Sequence, residues 1–194
     1  MAGLFAAPAI AETNWVYDAA KKELISRSDL NQGGGKRYYR SDKSPIPRRT
    51  VAFDAKYDAG TIVVNTGERR LYYTLGNGKA IRYGVGVGRD GFTWSGTHRV
   101  TRKAEWPGWT PPATMIRREA AKGRKLPAFM PGGPENPLGA RALYIGSTIY
   151  RIHGTNQPWT IGQAMSSGCI RMANEDVTHL YSVAGVGTKV VVVR

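Results

Sequence analysis

Three strand-like runs separated by short turns constrain the fold of this chain more than any other feature. Residues 61–64 (TIVV) and 70–75 (RLYYTL) are rich in β-branched and aromatic side chains, and residues 80–87 (AIRYGVGV) return after a turn. That turn, at residues 76–79 (GNGK), has asparagine and glycine where a tight hairpin requires a positive φ. The pattern predicts an antiparallel meander.

Further strands are expected towards the C-terminus. Residues 97–100 can pair again, and residues 142–145 and 148–152 form a hairpin-like pair that puts His153 at the end of a strand. Residues 186–193 (VGTKVVVV) have the composition of a buried closing strand.

Two short helices are predicted. Residues 113–121 form one candidate between proline-rich segments. After Asn174, which suits an N-cap, apolar residues follow at helical spacing until Gly185. His179 lies off that apolar stripe, so we expect it to face solvent. The chain is therefore predicted to fold as a mainly β domain with one or two short helices.

The segment from residue 103 to residue 141 is expected to be an irregular, proline- and glycine-rich loop. Long loops with their own aromatic residues are more often functional than not, and a lid over a site is the use we favour. Trp106 and Trp109 are candidates for contacting a substrate. The alternative, that both tryptophans only anchor the loop to the domain, stays open.

The chain length fits one domain with an N-terminal extension. Residues 1–11 are small and apolar and end in Ala-Ile-Ala, which is typical of the end of a signal peptide whose start lies upstream. Residues 12–55 are predicted to be an extended or disordered basic arm and linker, and residues 56–194 the folded domain. No other stretch has the length of an apolar membrane span.

Cys169 is the single cysteine of the chain, and it follows a strand-like run that ends in His153. A free thiol has a pKa near ~8.5, so a nucleophilic cysteine needs a neighbouring imidazole to take its proton. Gly168 allows a sharp turn before the cysteine, so that the N–H groups of Gly168 and Cys169 can face an oxyanion. The plainer alternative is that Cys169 is a small buried side chain and His153 a core histidine.

Residues 152–156 (IHGTN), 161–162 (IG) and 166–172 (SSGCIRM) together closely resemble the catalytic motif of the YkuD-type L,D-transpeptidases, which are bacterial cell-wall enzymes. The resemblance extends from about residue 60 to residue 193 and is most specific around the cysteine. It implies the mixed β-sandwich or barrel-like catalytic domain of that family.

The resemblance also implies a role for each matching residue. Cys169 is the nucleophile, His153 is its base, the backbone of Gly154 orients the imidazole, and Gly168 helps to form the oxyanion hole. Arg171 is the expected partner of a substrate carboxylate. The further substrate-binding candidates are Ser166, Ser167, Asn156, Tyr144, Trp106 and Trp109.

Ser167 departs from the family pattern, because many members have histidine directly before the Gly-Cys pair. The change removes one possible donor near the nucleophile and leaves His153 in place. We therefore expect the reaction to be retained.

The implied reaction is peptidoglycan transpeptidation. Cysteine attacks the carbonyl at the L-to-D centre of a tetrapeptide stem, releases D-alanine, and passes the acyl group to an amine of a second stem or of an outer-membrane protein. Two alternatives stay open: an L,D-carboxypeptidase, in which water is the acceptor, and a non-catalytic wall-binding module. The resemblance further implies acylation by carbapenems and a periplasmic location.

The net charge of +14 favours anionic partners such as peptidoglycan stem peptides. Nucleic acid is disfavoured, because the sequence has no helix-turn-helix, RNA-binding or zinc-finger pattern. Gly84, Gly86 and Gly88 lie in a strand-like run and do not open a helix, which excludes a dinucleotide loop. The three histidines are scattered and only one cysteine is present, so we expect no metal site. We also expect no cofactor and a monomeric protein.

Overall fold

A computed structural model of the protein describes residues 15–18, 23–26, 43–89 and 94–194. The predicted signal-peptide segment at residues 1–11 and the glycine-rich part of the arm at residues 31–36 lie outside the described residues. Within the arm, β1 (Trp15–Asp18) and β2 (Glu23–Ser26) pair in antiparallel fashion as a two-stranded sheet.

Nine strands form one mixed sheet. Its strands are β3 (Arg49–Ala52), β4 (Ile62–Asn65), β5 (Arg70–Gly76), β6 (Lys79–Gly84), β8 (Gly96–Glu105), β9 (Arg141–Ile145), β10 (Arg151–His153), β12 (Ile170–Arg171) and β13 (Lys189–Val193). Their spatial order is β12-β10-β9-β8-β13-β4-β5-β6-β3. The pairs β13–β4 and β10–β12 are parallel, and the other neighbours are antiparallel. Two short strands, β7 (Val87–Gly88) and β11 (Ala164–Ser166), pair separately in parallel.

The predicted meander is confirmed by β4, β5 and β6. Its turn has φ values of 83° at Gly76, 51° at Asn77 and 66° at Gly78, the left-handed region that favours glycine and asparagine. The sheet begins before the predicted catalytic domain, because Arg49–Ala52 already pairs with β6. The boundary between arm and catalytic domain at residue 55 stays a prediction.

Strand β8 joins the two halves of the sheet. Its first residues pair with β13, its last residues pair with β9, and the register shifts between Val100 and Arg102. The expectation that the chain becomes irregular at Lys103 was wrong by three residues, since β8 continues to Glu105. Pairing with β9 extends the strand, and no local sequence pattern predicts that pairing.

Both predicted helices are present, as α1 (Ala113–Ala120) and α2 (Asn174–Val183). Two details of α2 differ from expectation. Ala173, not Asn174, is the N-cap, because the Asn174 side chain binds backbone amides elsewhere. His179 does not face open solvent, since its Nδ1 lies 2.8 Å from the hydroxyl of the buried Tyr83.

The hydrophobic core lies between the sheet and α2. It includes Ile62, Leu71, Tyr83, Val100, Leu143, Ile152, Ile170, Val177, Leu180 and Val190, each almost fully buried. The mainly β prediction with two short helices is thus confirmed. No helix in the described part of the chain is long and apolar enough to span a bilayer.

Candidate active site

The edge pair β10–β12 positions the two predicted catalytic residues. Ile152 pairs with Ile170 and His153 with Arg171 in parallel register, and both isoleucines point into the core. Because side chains alternate along a strand, His153 and Arg171 face the opposite side. Cys169 directly precedes β12, so the parallel pairing places the candidate nucleophile next to the strand that carries His153.

His153 is buried and has a defined hydrogen bond. Its exposed fraction is 5%, and Nδ1 lies 2.6 Å from the Gly154 carbonyl oxygen. A carbonyl only accepts, so Nδ1 carries a proton and donates it, and a backbone hydrogen bond with Leu138 also engages the ring. This contact agrees with the expected role of the Gly154 backbone in orienting the ring.

The surroundings of His153 keep it neutral. Burial lowers its pKa to about 3, and the positive charges of Arg171 and Arg151 add to the effect. A histidine whose pKa is lowered in this way is neutral at neutral pH.

Ser166 shapes the turn before the nucleophile. Its buried hydroxyl accepts a hydrogen bond from the Gly168 N–H at 3.1 Å and donates one to the Cys169 carbonyl at 2.6 Å. Gly168 has a φ of 108°, a conformation that side chains rarely adopt. The Gly168 N–H is therefore engaged, and the amide left to face an oxyanion is that of Cys169. Ser167 is half-buried beside it.

Trp94 contacts the same turn from the segment before β8. Its Nε1–H donates to the Gly168 carbonyl at 2.7 Å, and its ring stacks on Tyr150 with centroids 4.7 Å apart. Neither Trp94 nor Tyr150 could be identified from the sequence, because neither lies in the motif and no local spacing links them to Cys169.

Asn174 holds the end of β10 in place. Its side-chain oxygen accepts hydrogen bonds from the Ala140 N–H at 2.9 Å and the Thr155 N–H at 3.3 Å. A Cβ on Gly154 would lie 2.3 Å from that oxygen, so the close approach requires glycine. Asn174 was also missed as a site residue. Its suitability as an N-cap gave no indication that its side chain would bind the Ala140 and Thr155 amides instead.

Arg151 and Arg171 lie on β10 and β12, on the same face of the sheet as His153. Arg171 lies over Gly86, where an added Cβ would be 3.4 Å from its Nε, and Arg151 pairs in register with Tyr144. The Tyr144 ring also lies 3.6 Å from the Arg102 guanidinium. Two predicted substrate-binding residues, Arg171 and Tyr144, therefore lie on β12 and β9, the strands on either side of β10, and Tyr144 is flanked by the guanidinium groups of Arg102 and Arg151.

The remaining candidates lie around the 106–137 loop. Trp106, which is 42% exposed, and Asn156 line a groove of about 460 Å³ together with Asn174 and Glu175. Trp109 is not among the groove residues. Its backbone pairs with that of Met130 through two 2.8 Å hydrogen bonds, which join the beginning and the end of the loop.

The comparisons of this domain with known proteins agree with one another. A family model described as the L,D-transpeptidase catalytic domain (YkuD) matches residues 59–192. The probable L,D-transpeptidase YbiS of Escherichia coli K12 is 42% identical over 150 residues, covering 75% of this chain and 47% of that protein. This chain spans about half the length of the curated E. coli relatives that it matches.

Solved structures agree on the fold. An L,D-transpeptidase from Mycobacterium smegmatis has a TM-score of 0.55 at 14% identity, covering 69% of this chain and 58% of that chain. A Brucella melitensis protein, named a probable carnitine operon oxidoreductase, has a TM-score of 0.51 at 44% identity, covering 78% of this chain and 96% of that chain.

Proposed function

The chain belongs to the YkuD family of L,D-transpeptidase catalytic domains, and from this membership we propose that it is a cysteine transpeptidase acting on peptidoglycan stem peptides. The observation that carries the proposal is the parallel pairing of β10 with β12, which brings the buried His153 next to the strand that follows Cys169 and its hydrogen-bonded turn.

In the first half-reaction, Cys169 Sγ attacks the carbonyl carbon at the L-to-D centre of a tetrapeptide stem. His153 Nε2 takes the thiol proton as the S–C bond forms. The carbonyl oxygen becomes an oxyanion that accepts a hydrogen bond from the Cys169 N–H. The C–N bond then breaks, and the proton on His153 passes to the nitrogen of the departing D-alanine, which leaves a thioester on Cys169.

In the second half-reaction, an amine attacks the thioester carbonyl. His153 removes the proton of the attacking amine, the oxyanion forms again at the same amide, and the C–S bond breaks. The proton returns to sulfur. The acceptor that we propose is the side-chain amine of a second stem or an amine of an outer-membrane protein.

The low pKa of His153 decides how the proton moves. Burial and the neighbouring arginine charges lower the pKa of His153 to about 3, so we propose that its ring is neutral in the resting enzyme and takes the thiol proton as sulfur attacks.

Substrate recognition is assigned to the cationic region around the nucleophile. Arg171 would bind a stem carboxylate, and Tyr144, between Arg102 and Arg151, would flank the peptide. Trp106 and Asn156 would contact it from the groove. Export to the periplasm is part of the same proposal, because the substrate is located in the cell wall.

The name of the Brucella relative suggests redox chemistry, but the described residues do not favour that function. Gly84 ends β6 and Gly88 ends β7, whereas a dinucleotide-binding glycine loop opens a helix. We therefore keep transpeptidation as the proposed activity.

The test is a product assay with a purified disaccharide-tetrapeptide, the wild type and Cys169→Ala. We expect the wild type to form a cross-linked dimer with release of D-alanine, and the variant to form nothing. A trimmed tripeptide without dimer would identify a carboxypeptidase instead. Wild-type protein that binds sacculi and produces neither compound would identify a wall-binding module.

A further inference from the structure

The Gly168–Cys169 turn is held from two sides. Ser166 engages the Gly168 N–H and the Cys169 carbonyl, and Trp94 Nε1–H donates to the Gly168 carbonyl at 2.7 Å. Of the four backbone polar groups of these two residues, only the Cys169 N–H has no hydrogen-bond partner among the described residues.

The Gly168 carbonyl and the Cys169 N–H belong to one peptide unit. A trans peptide is planar, so its C=O and N–H point in opposite directions. Fixing the direction of the carbonyl therefore fixes the direction of the N–H. The carbonyl must be held by a hydrogen bond because Gly168, the first residue of this peptide unit, has no Cβ to limit rotation of the peptide plane.

Trp94 is itself held rigidly. Its ring is parallel to Tyr150 within 4°, with centroids 4.7 Å apart, and it meets His98 edge-on at 5.5 Å. It also packs against the hydrophobic core. Stacking alone would be satisfied by phenylalanine, so the N–H of the indole is the feature that a tryptophan adds at this place.

We propose that Trp94 is a positioning residue that aims the Cys169 amide at the oxyanion of the reacting acyl group. The inference rests on the proposed cysteine chemistry and adds a residue to it. Trp94 acts through the peptide unit of Gly168 and Cys169.

Two reactions of the same thiol separate this role from a general structural one. Acylation by a carbapenem forms an S–C bond at the lactam carbonyl, breaks the C–N bond with transfer of the thiol proton to nitrogen, and passes through an oxyanion. Alkylation by iodoacetamide forms an S–C bond and releases iodide and a proton, without an oxyanion. Only the first reaction depends on the direction of the Cys169 N–H.

The experiment compares Trp94→Phe with the wild type, using the carbapenem ertapenem and iodoacetamide as probes. Tyr72→Phe is the matched control, because it also removes one aromatic hydrogen-bond donor, the one 2.6 Å from Glu68, away from the site. We expect Trp94→Phe to slow acylation roughly tenfold or more, and alkylation by less than about twofold. The control is expected to change neither rate.

Equal slowing of both reactions, or no slowing of acylation, would overturn the proposal. If Trp94→Phe unfolds, replacing Trp94 with benzothienylalanine, which has the shape of tryptophan without its N–H, carries the same test. A wild type that alkylates with iodoacetamide but never acylates would instead refute the proposed function, so the two failures are distinct.

Discussion

His153 combines burial with two neighbouring positive charges, and this decides its protonation state. The folded pKa of about 3 lies below the ordinary value of 6.5. Between these values the unfolded chain binds a proton at this residue and the folded chain does not. The free energy of unfolding therefore falls as the pH falls from 6.5 towards 3, by about 1.4 kcal/mol for each pH unit.

We accordingly predict that the His153 ring stays neutral well below pH 6.5. Its C2–H proton resonance, assigned by comparison with His153→Gln, is expected to shift by little between pH 7.5 and pH 4.5. A titration step near pH 6.5 assigned to this residue would contradict the proposal that His153 is neutral in the resting enzyme.

A second prediction at this scale concerns Ser166. Ser166→Ala removes the acceptor of the Gly168 N–H and the donor to the Cys169 carbonyl. Two lost hydrogen bonds are expected to lower the free energy of unfolding by about 1–3 kcal/mol and to slow acylation. Ser182→Ala, at an exposed serine whose hydroxyl donates to the His179 carbonyl at 2.7 Å, is the control, and thermal unfolding with carbapenem acylation is the measurement. Equal effects of both variants would refute the role given to Ser166.

At the scale of elements, the site depends on pairing that local sequence does not encode. The strand-like pattern before His153 and the turn before Cys169 were both visible in the sequence. The parallel pairing of β10 with β12 was not, and neither was the contact of Trp94 with Gly168. These contacts join segments that are far apart in the chain, so a short window of sequence contains no trace of them.

Other elements show the same division between local and tertiary control. The β4–β5–β6 meander was predictable because Gly76, Asn77 and Gly78 select a tight turn. The N-cap of α2 was mispredicted because Asn174 binds the Ala140 and Thr155 amides instead. These two hydrogen bonds to distant backbone amides outweighed the local preference of asparagine for the N-cap position.

The segment before β3 docks onto α2 through a buried charge. Arg48 Nη1 lies 3.4 Å from Asp176 Oδ1, and the Ser44 N–H donates to Glu175 at 3.3 Å. The Asp176 side chain is 2% exposed, and burial raises its pKa to about 6, against the opposing charge of Arg48. Ile46 packs so closely on Gly84 that a Cβ there would lie 2.6 Å away.

This geometry predicts a pH effect that is opposite in sign to that of His153. Between pH 3.8 and pH 6 the folded Asp176 keeps a proton that the unfolded chain has lost, so its contribution to stability is lost as the pH rises through this window. Asp176→Asn should gain stability relative to the wild type by up to about 3 kcal/mol between pH 4 and pH 7. Denaturant unfolding measures this, with Asp58→Asn, at an exposed aspartate, as control, and a difference that is independent of pH would refute it.

At the scale of the whole molecule, the net charge of +14 matches the anionic cell wall that we propose as substrate. Cationic side chains also occur at the site itself, in Arg102, Arg151 and Arg171. We predict that Cys169→Ala pellets with isolated sacculi at low salt and is released as NaCl is raised to several times the physiological level, because salt screens such attraction. Retention that is independent of salt would contradict the electrostatic account.

The central claim is that Cys169 forms a covalent acyl-enzyme, and intact-protein mass spectrometry tests it most directly. The folded wild type and Cys169→Ala are each incubated with a disaccharide-tetrapeptide and with a carbapenem. We predict an adduct on the wild type alone, with the mass of the acyl group after loss of D-alanine for the first compound and of the intact drug for the second. A folded wild type with a titratable thiol and no adduct from either compound would contradict the claim.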